Sequence, residues 1–176
     1  FSGFYLNDLE GLVTQLERLK DDRKVLLLGV SFALLDLAEQ YEVDLRHCMV
    51  METGGMKGRR QEITRQELHE ILCKNLNIEK VYSEYGMTEL LSQAYSQGDG
   101  LFRSPPSMRM ILREINDPFG HEIRSAGIIN VIDLANAHSC AFIETLDLGK
   151  MHLDGHFEVL GRMDNSDVRG CNLMVE

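Results

Sequence analysis

Two short apolar runs separated by a helical pattern constrain this chain most. Lys24–Val30 contains Val-Leu-Leu-Leu-Gly-Val, and Cys48–Glu52 reads Cys-Met-Val-Met-Glu. Apolar runs of this length without polar alternation are the strands of parallel sheets, which are buried on both faces. Parallel strands need a crossover. The stretch Phe32–Tyr41 supplies a helical one, with Ser31 placed to cap it. Thr64 with Glu67 forms a capping box, and a helix to about Asn75 turns Leu68, Ile71, Leu72 and Leu76 inward. Upstream, Leu6, Leu9, Leu12, Val13, Leu16 and Leu19 share a face of a helix over Asn7–Lys20, with Asn7 and Glu10 as its start signal. A third strand, opened by Glu79–Tyr82, leads into Tyr85. This alternation predicts an α/β fold: a parallel sheet flanked by helices.

The texture changes near Gly98-Asp99-Gly100. Short strands follow at Met108–Glu114, Gly127–Leu134, Ala141–Leu146 and Phe157–Leu160. Turns fall at Asn116–Gly120 and at Leu153–His156, the latter an Asp-Gly hairpin signal. Residues 1–98 therefore read as an α/β subdomain and 99–176 as a small, barrel-like β subdomain with a tail.

The chain has 176 residues, 44% of them apolar, enough for a packed core. It opens on Phe1-Ser2-Gly3-Phe4, inside apolar sequence, and so reads as a piece of a longer protein. The net charge of −10 argues against nucleic acid and anionic membrane as partners. With no run of 18 apolar residues, nothing spans a bilayer. Cys48, Cys73, Cys140 and Cys171 show no CxxC spacing, so they read as reduced thiols of a cytoplasmic protein.

The chemistry concentrates in Val81–Leu91, read as a strand end, a turn at Gly86 and a helix opening at Thr88-Glu89 and running to Tyr95. Such loops lie on the ligand edge of a parallel sheet, where a helix N-terminus favours anions. Tyr85 offers a plate for a flat base, Thr88 a hydroxyl for a phosphate oxygen, and Glu89 a hard ligand for Mg²⁺. A core Tyr85 and a capping Thr88 fit the same residues. Gly54-Gly55 also follow a strand, with Lys57, Arg59 and Arg60 as phosphate partners; the P-loop spacing is missing, and a plain surface turn fits equally. Asp147 ends a strand and suits either a ribose or an ordinary turn. Arg162 suits ribose, phosphate or a surface ion pair.

His152, Asp154 and His156 have metal-like alternation, but Asp154 serves better as the turn residue. His138-Ser139-Cys140 reads as packing, because neighbours on a strand face opposite ways. For Cys171, Arg169 favours a thiolate and Asp167 opposes it, leaving an inert thiol as the default.

Tyr85-Gly86-Met87-Thr88-Glu89, Thr145-Leu146-Asp147 and Gly161-Arg162-Met163-Asp164 occur in the order and approximate spacing of the adenylate-forming superfamily, which includes acyl-CoA synthetases and firefly luciferase. The stretch Asp133–Thr145 and Arg169-Gly170-Cys171 resemble its acyl-protein synthetase branch, the long-chain-fatty-acid–luciferin-component ligases. The resemblance runs from about Val25 to the end.

It implies part of a large domain in which Tyr85 stacks on adenine beside Gly54 and Gly55, with Gly86 in the same motif. Thr88 holds the α-phosphate, Glu89 binds Mg²⁺, and Asp147 and Arg162 take the ribose. Asp164 matches the hinge, and Cys171 matches the cysteine that carries the acyl group. ATP and Mg²⁺ are the implied cofactors. The implied partners are a carboxylic acid and an acyl-CoA or fatty-acid reductase or carrier protein. The superfamily's upstream phosphate loop and its C-terminal domain with a catalytic lysine are not in this sequence. The first fits a chain trimmed at its start. The second fits the acyl-protein synthetase branch, and it puts a hinge at Asp164 in doubt. A CoA ligase of the phenylacetate type and a non-catalytic carrier-binding scaffold are the alternatives.

Overall fold

Apolar residues at strand and helix spacing form the expected elements in the computed structural model, which describes residues 3–20, 24–56, 58–117, 119 and 124–163. Contacts divide the chain into two compact units, Phe1–Glu84 and Tyr85–Glu176. Residues 86–98, which the sequence reading assigned to the first part, belong to the second unit.

The first unit runs α1 (Leu9–Arg18), β1 (Val25–Val30), α2 (Ser31–Gln40), β2 (Cys48–Thr53), α3 (Arg65–Leu76) and β3 (Val81–Tyr85), whose last residue belongs to the second unit. The strands pair in parallel, with Leu27 beside Val50 and Val50 beside Val81. Leu34, Leu37 and Ala38 of α2 and Leu68, Leu72 and Leu76 of α3 share one core with those three strand residues. Each large apolar side chain buried there contributes about 1.5–3 kcal/mol. The other face differs from expectation: Leu26 is 57% and Leu28 50% exposed, so β1 buries one face, not two.

Helix starts follow local hydrogen bonding. The Thr64–Glu67 capping box forms: Thr64 Oγ1 accepts from Glu67 N at 3.2 Å, and Glu67 Oε2 accepts from Thr64 N at 2.9 Å. Asn77 closes α3 at φ 54°. Helix α1 is capped by Asp8, whose Oδ1 accepts from Gly11 N at 2.8 Å, one residue after the expected Asn7. Ser31 is the first residue of α2 rather than its cap, because its hydroxyl donates to Glu52 Oε2 at 3.1 Å.

The second unit contains β4 (Ala94–Ser96), β5 (Phe102–Arg103), β6 (Met108–Arg113), β7 (Ala126–Asp133), a 3-10 turn at Leu134–Asn136, β8 (Phe142–Met151) and β9 (Phe157–Arg162). Pairing here is antiparallel in the order β4-β5-β9-β8-β7-β6, and among the described residues no pairing of β4 with β6 closes it into the expected barrel. Strands β4 and β5, three and two residues long, are too short for period-two alternation to register. The Asp154-Gly155 hairpin forms as read, with Gly155 at φ 85° and His152 N donating to His156 O at 2.8 Å. Among the described residues no helix is long and apolar enough to cross a membrane.

Candidate active site

The segment after β3 carries Thr88 and Glu89, and it is not a helix. Residues 86–93 form turns and bends before β4. Leu90 N donates to Met87 O at 3.0 Å, closing one turn around Thr88-Glu89. The chain is then captured from outside. Asp133 Oδ2, at the end of β7, accepts from Leu91 N at 2.8 Å and Ser92 N at 2.9 Å. The Ser92 amide, which a helix from Thr88 would have given to the Thr88 carbonyl, is therefore taken, and an anchored loop stands where a helix N-terminus was expected. Gly86 does not take a positive φ either; a β-carbon there would sit 3.0 Å from Gln93 Cγ, so close approach accounts for it.

Thr88 and Glu89 are exposed and line a cavity of about 680 Å³ with Leu91, Cys140, Phe142 and Glu144. Its rim is apolar, since Leu91 and Phe142 are both largely exposed. Arg113 pairs with Glu144. The wall thus combines two hard oxygens on one turn with an apolar lip.

Tyr85, Asp147 and Arg162 form a second cluster in the same unit. The Tyr85 hydroxyl donates to Asp147 Oδ2 at 2.7 Å, joining residues 62 apart in sequence. Asp147 and Arg162 stand directly opposite each other across β8 and β9. Thr145 Oγ1 donates to Ile129 O at 2.8 Å and accepts from Asp147 N at 3.0 Å, fixing the strand under the carboxylate. Burial pushes the Tyr85 phenol above its ordinary value, and the Asp147 charge and hydrogen bond add to the shift. The open plate expected at Tyr85 becomes a core ring: it is 8% exposed and lies edge-on to Phe102 and Phe157, with centroids 6.1 and 5.8 Å away.

The Gly54-Gly55 loop belongs to the first unit. Gly54 takes φ 67°, and a β-carbon on Gly55 would meet nothing within 4 Å. The cations expected to meet phosphate are engaged otherwise. Arg60 Nη2 contacts Asp36 at 2.6 Å and Glu39 at 2.7 Å, and Arg59 lies 4.9 Å over the Phe32 ring. Lys57 is outside the described residues.

Sequence reasoning missed a polar knot at the end of β2. Glu52 is 3% exposed, within 3.4 Å of Arg65 Nε, and accepts from Ser31; His69 stands 3.8 Å away and 3.4 Å from Ser83 Oγ. Burial raises the Glu52 carboxyl, but contacts from His69 and Ser83, the Arg65 charge and the Ser31 bond outweigh it and hold it below the usual range. A lowered folded value means stability that is present above the unfolded value of about 4.3 and lost as pH falls through the folded value. Glu52→Gln should therefore lower the urea midpoint at pH 7 and narrow its gap from wild type toward pH 3. A constant gap would exclude ionised Glu52 as the cause.

Two other sequence candidates resolve differently. His138, Ser139 and Cys140 are exposed in the connection after the 3-10 turn, not strand packing, and Cys140 Sγ bonds Phe142 O at 3.3 Å. His152 pairs with Glu158 at 2.6 Å and His156 with Asp154 at 3.0 Å. Among the described residues no three His, Cys, Asp or Glu side chains converge on one metal position. The exposed Glu89 carboxylate has the chemistry to hold Mg²⁺, which takes one or two protein oxygens and completes its shell with phosphate and water, while Thr88 beside it offers a hydroxyl. Cys171 and Asp164 lie outside the described residues. Asp133 and Asn136, absent from the sequence candidates, prove central to the loop; the available signal was a carboxylate closing the apolar run Ala126–Asp133.

No protein-family profile matches the chain, and no curated protein matches it. Solved structures do. ATP-bound MatB from Rhodopseudomonas palustris is 18% identical with a TM-score of 0.64, the match covering 88% of this chain and 33% of that one. The O-succinylbenzoate coenzyme A synthetase MenE from Bacillus subtilis, in complex with ATP and magnesium ion, is 19% identical with a TM-score of 0.58, covering 88% and 34%. Coronafacic acid ligase from Pectobacterium brasiliense is 18% identical with a TM-score of 0.60, covering 88% and 32%. The chain spans about a third of the length of these proteins. At these identities the likeness is one of fold: the chain shares its α/β fold with about a third of each of these proteins.

Proposed function

We propose that this chain is part of an acid–thiol ligase that activates a carboxylic acid, of fatty type, with ATP and passes the acyl group to a cysteine. The observation that carries the reading is the Tyr85–Asp147 hydrogen bond with Arg162 opposite. It unites three distant sequence segments around one carboxylate, in a fold shared with ligases solved with ATP.

In this reading Asp147 accepts the ribose hydroxyls, oriented by the Tyr85 phenol and by Thr145, and Arg162 supplies the neighbouring positive charge. Thr88 donates to a phosphate oxygen, and Glu89 would hold Mg²⁺, which when bound would supply positive charge to the phosphates. The acid's carboxylate attacks the α-phosphorus, pyrophosphate leaves, and an acyl-adenylate forms. The Cys171 thiolate then attacks the acyl carbon and AMP leaves, giving a thioester. A reductase or carrier protein would accept the acyl group from it. The fold's match to a coenzyme A synthetase favours one second reading, with coenzyme A as the thiol.

The test is pyrophosphate release by the full-length protein over a panel of fatty acids. Cys171→Ser is expected to retain adenylation and lose the hydroxylamine-labile acyl label. A retained label would reassign the acceptor, and product formation that needs coenzyme A would select the second reading. Absence of acyl-AMP with every acid would remove the proposal.

A further inference from the structure

We propose that Asp133 and Asn136 are positioning residues for the Thr88-Glu89 turn, holding Glu89 where it can ligate the metal of a bound nucleotide; this rests on the functional reading above. The turn has no regular secondary structure of its own. Its backbone is held from the end of β7 and the 3-10 turn that follows. Asn136 Nδ2 donates to Glu89 O at 2.6 Å. Asp133 Oδ2 accepts from Leu91 N and Ser92 N, and Oδ1 accepts from the Ser92 hydroxyl at 2.7 Å and from Ala135 N at 3.1 Å. Asp133 is fully buried, so four donors compensate a carboxylate that would otherwise be costly to hide.

These bonds clamp the chain at Glu89 itself and again two and three residues later. The Glu89 side chain stays on the cavity wall. That division of labour suits a ligand whose backbone must be rigid while its carboxylate meets a metal. Asn136 is itself fixed, because its Oδ1 accepts from Ser139 Oγ. Losing a partner that orients a metal ligand typically weakens metal affinity 10–100-fold.

The experiment uses the full-length protein, with Asn136→Ala and Asp133→Asn. Three quantities are read: amide exchange at Leu91 and Ser92, calorimetric affinity for Mg²⁺–ATP, and the Mg²⁺ concentration giving half-maximal pyrophosphate release. Asn136→Ala should exchange faster at both amides, bind Mg²⁺–ATP about 10–100-fold more weakly, and need correspondingly more Mg²⁺, while the acid's KM stays within about twofold. If Asp133→Asn does not fold, Asn136→Ala decides alone. Wild-type Mg²⁺ dependence in the folded variant overturns the inference, whether or not exchange accelerates. A wild-type protein that binds no Mg²⁺–ATP overturns the functional reading itself, a result separable from the first.

Discussion

Replacing Phe157 with alanine is expected to destabilise the protein by about 4 kcal/mol, near the top of the range for single core changes. Phe157 is fully buried where β5, β9 and β8 meet, opposite Phe102 on one side and Met151 on the other. Its ring stacks on Phe102 with centroids 5.5 Å apart and meets the Tyr85 ring edge-on. Alanine removes the transfer energy of the ring and leaves a cavity lined by two aromatics that β-strand backbones hold apart, so the site cannot collapse onto it. Thermal melting of the full-length protein measures the effect. Leu153→Ala, at the fully exposed hairpin tip, serves as control and should stay within about 0.5 kcal/mol. A second readout follows from the same contact. With Phe157 gone, water reaches Tyr85, and its raised phenol value should move down toward the ordinary one of about 10. A Phe157→Ala protein that melts like wild type would show that the three rings do not form one core.

Under the proposed ligase reading, the Glu89→Ala change should leave the fold intact and abolish most of the activity. Glu89 is exposed, and its backbone, not its side chain, carries the contact to Asn136. Stability should change by less than about 0.5 kcal/mol. Pyrophosphate release by the full-length protein should fall on the order of 100- to 1000-fold, the usual loss when part of a preorganised charge-stabilising arrangement, here the carboxylate that would hold Mg²⁺, is removed. Glu89→Asp, which keeps the carboxylate but shortens its reach, should fall between, with a higher Mg²⁺ requirement. The competing view makes Glu89 a solvated turn residue of no chemical consequence, and it requires activity within about twofold of wild type. The melting curve separates the two, because a structural defect would appear there.

Much of the first unit is legible in the sequence alone. The Thr64–Glu67 box, the inward leucines of α3 and the two apolar strands are local patterns, and local patterns carry their own hydrogen bonds and periodicity. Two of the errors there share a cause. Ser31 has the right chemistry for a cap, yet Glu52, 21 residues away, takes its hydroxyl. Arg60 looks like a phosphate ligand in sequence but is neutralised by Asp36 and Glu39 on the previous helix. In each case a partner distant in sequence outcompetes the local reading.

The sequence by itself determined which chemistry is present: a phenol, a hydroxyl, two carboxylates and a guanidinium in three ordered segments, and strand–helix alternation ahead of hairpins. Tertiary structure decided their state. Asp133 anchors a loop where a helix after Thr88 was expected, because a buried carboxylate needs donors and took the Ser92 amide that a helix would have used, with Leu91 N beside it. Phe102 and Phe157 turned Tyr85 from an exposed plate into a core ring whose hydroxyl reaches Asp147. Period and propensity are written in neighbouring residues, whereas burial and charge compensation depend on side chains that only the folded chain brings within a few ångströms.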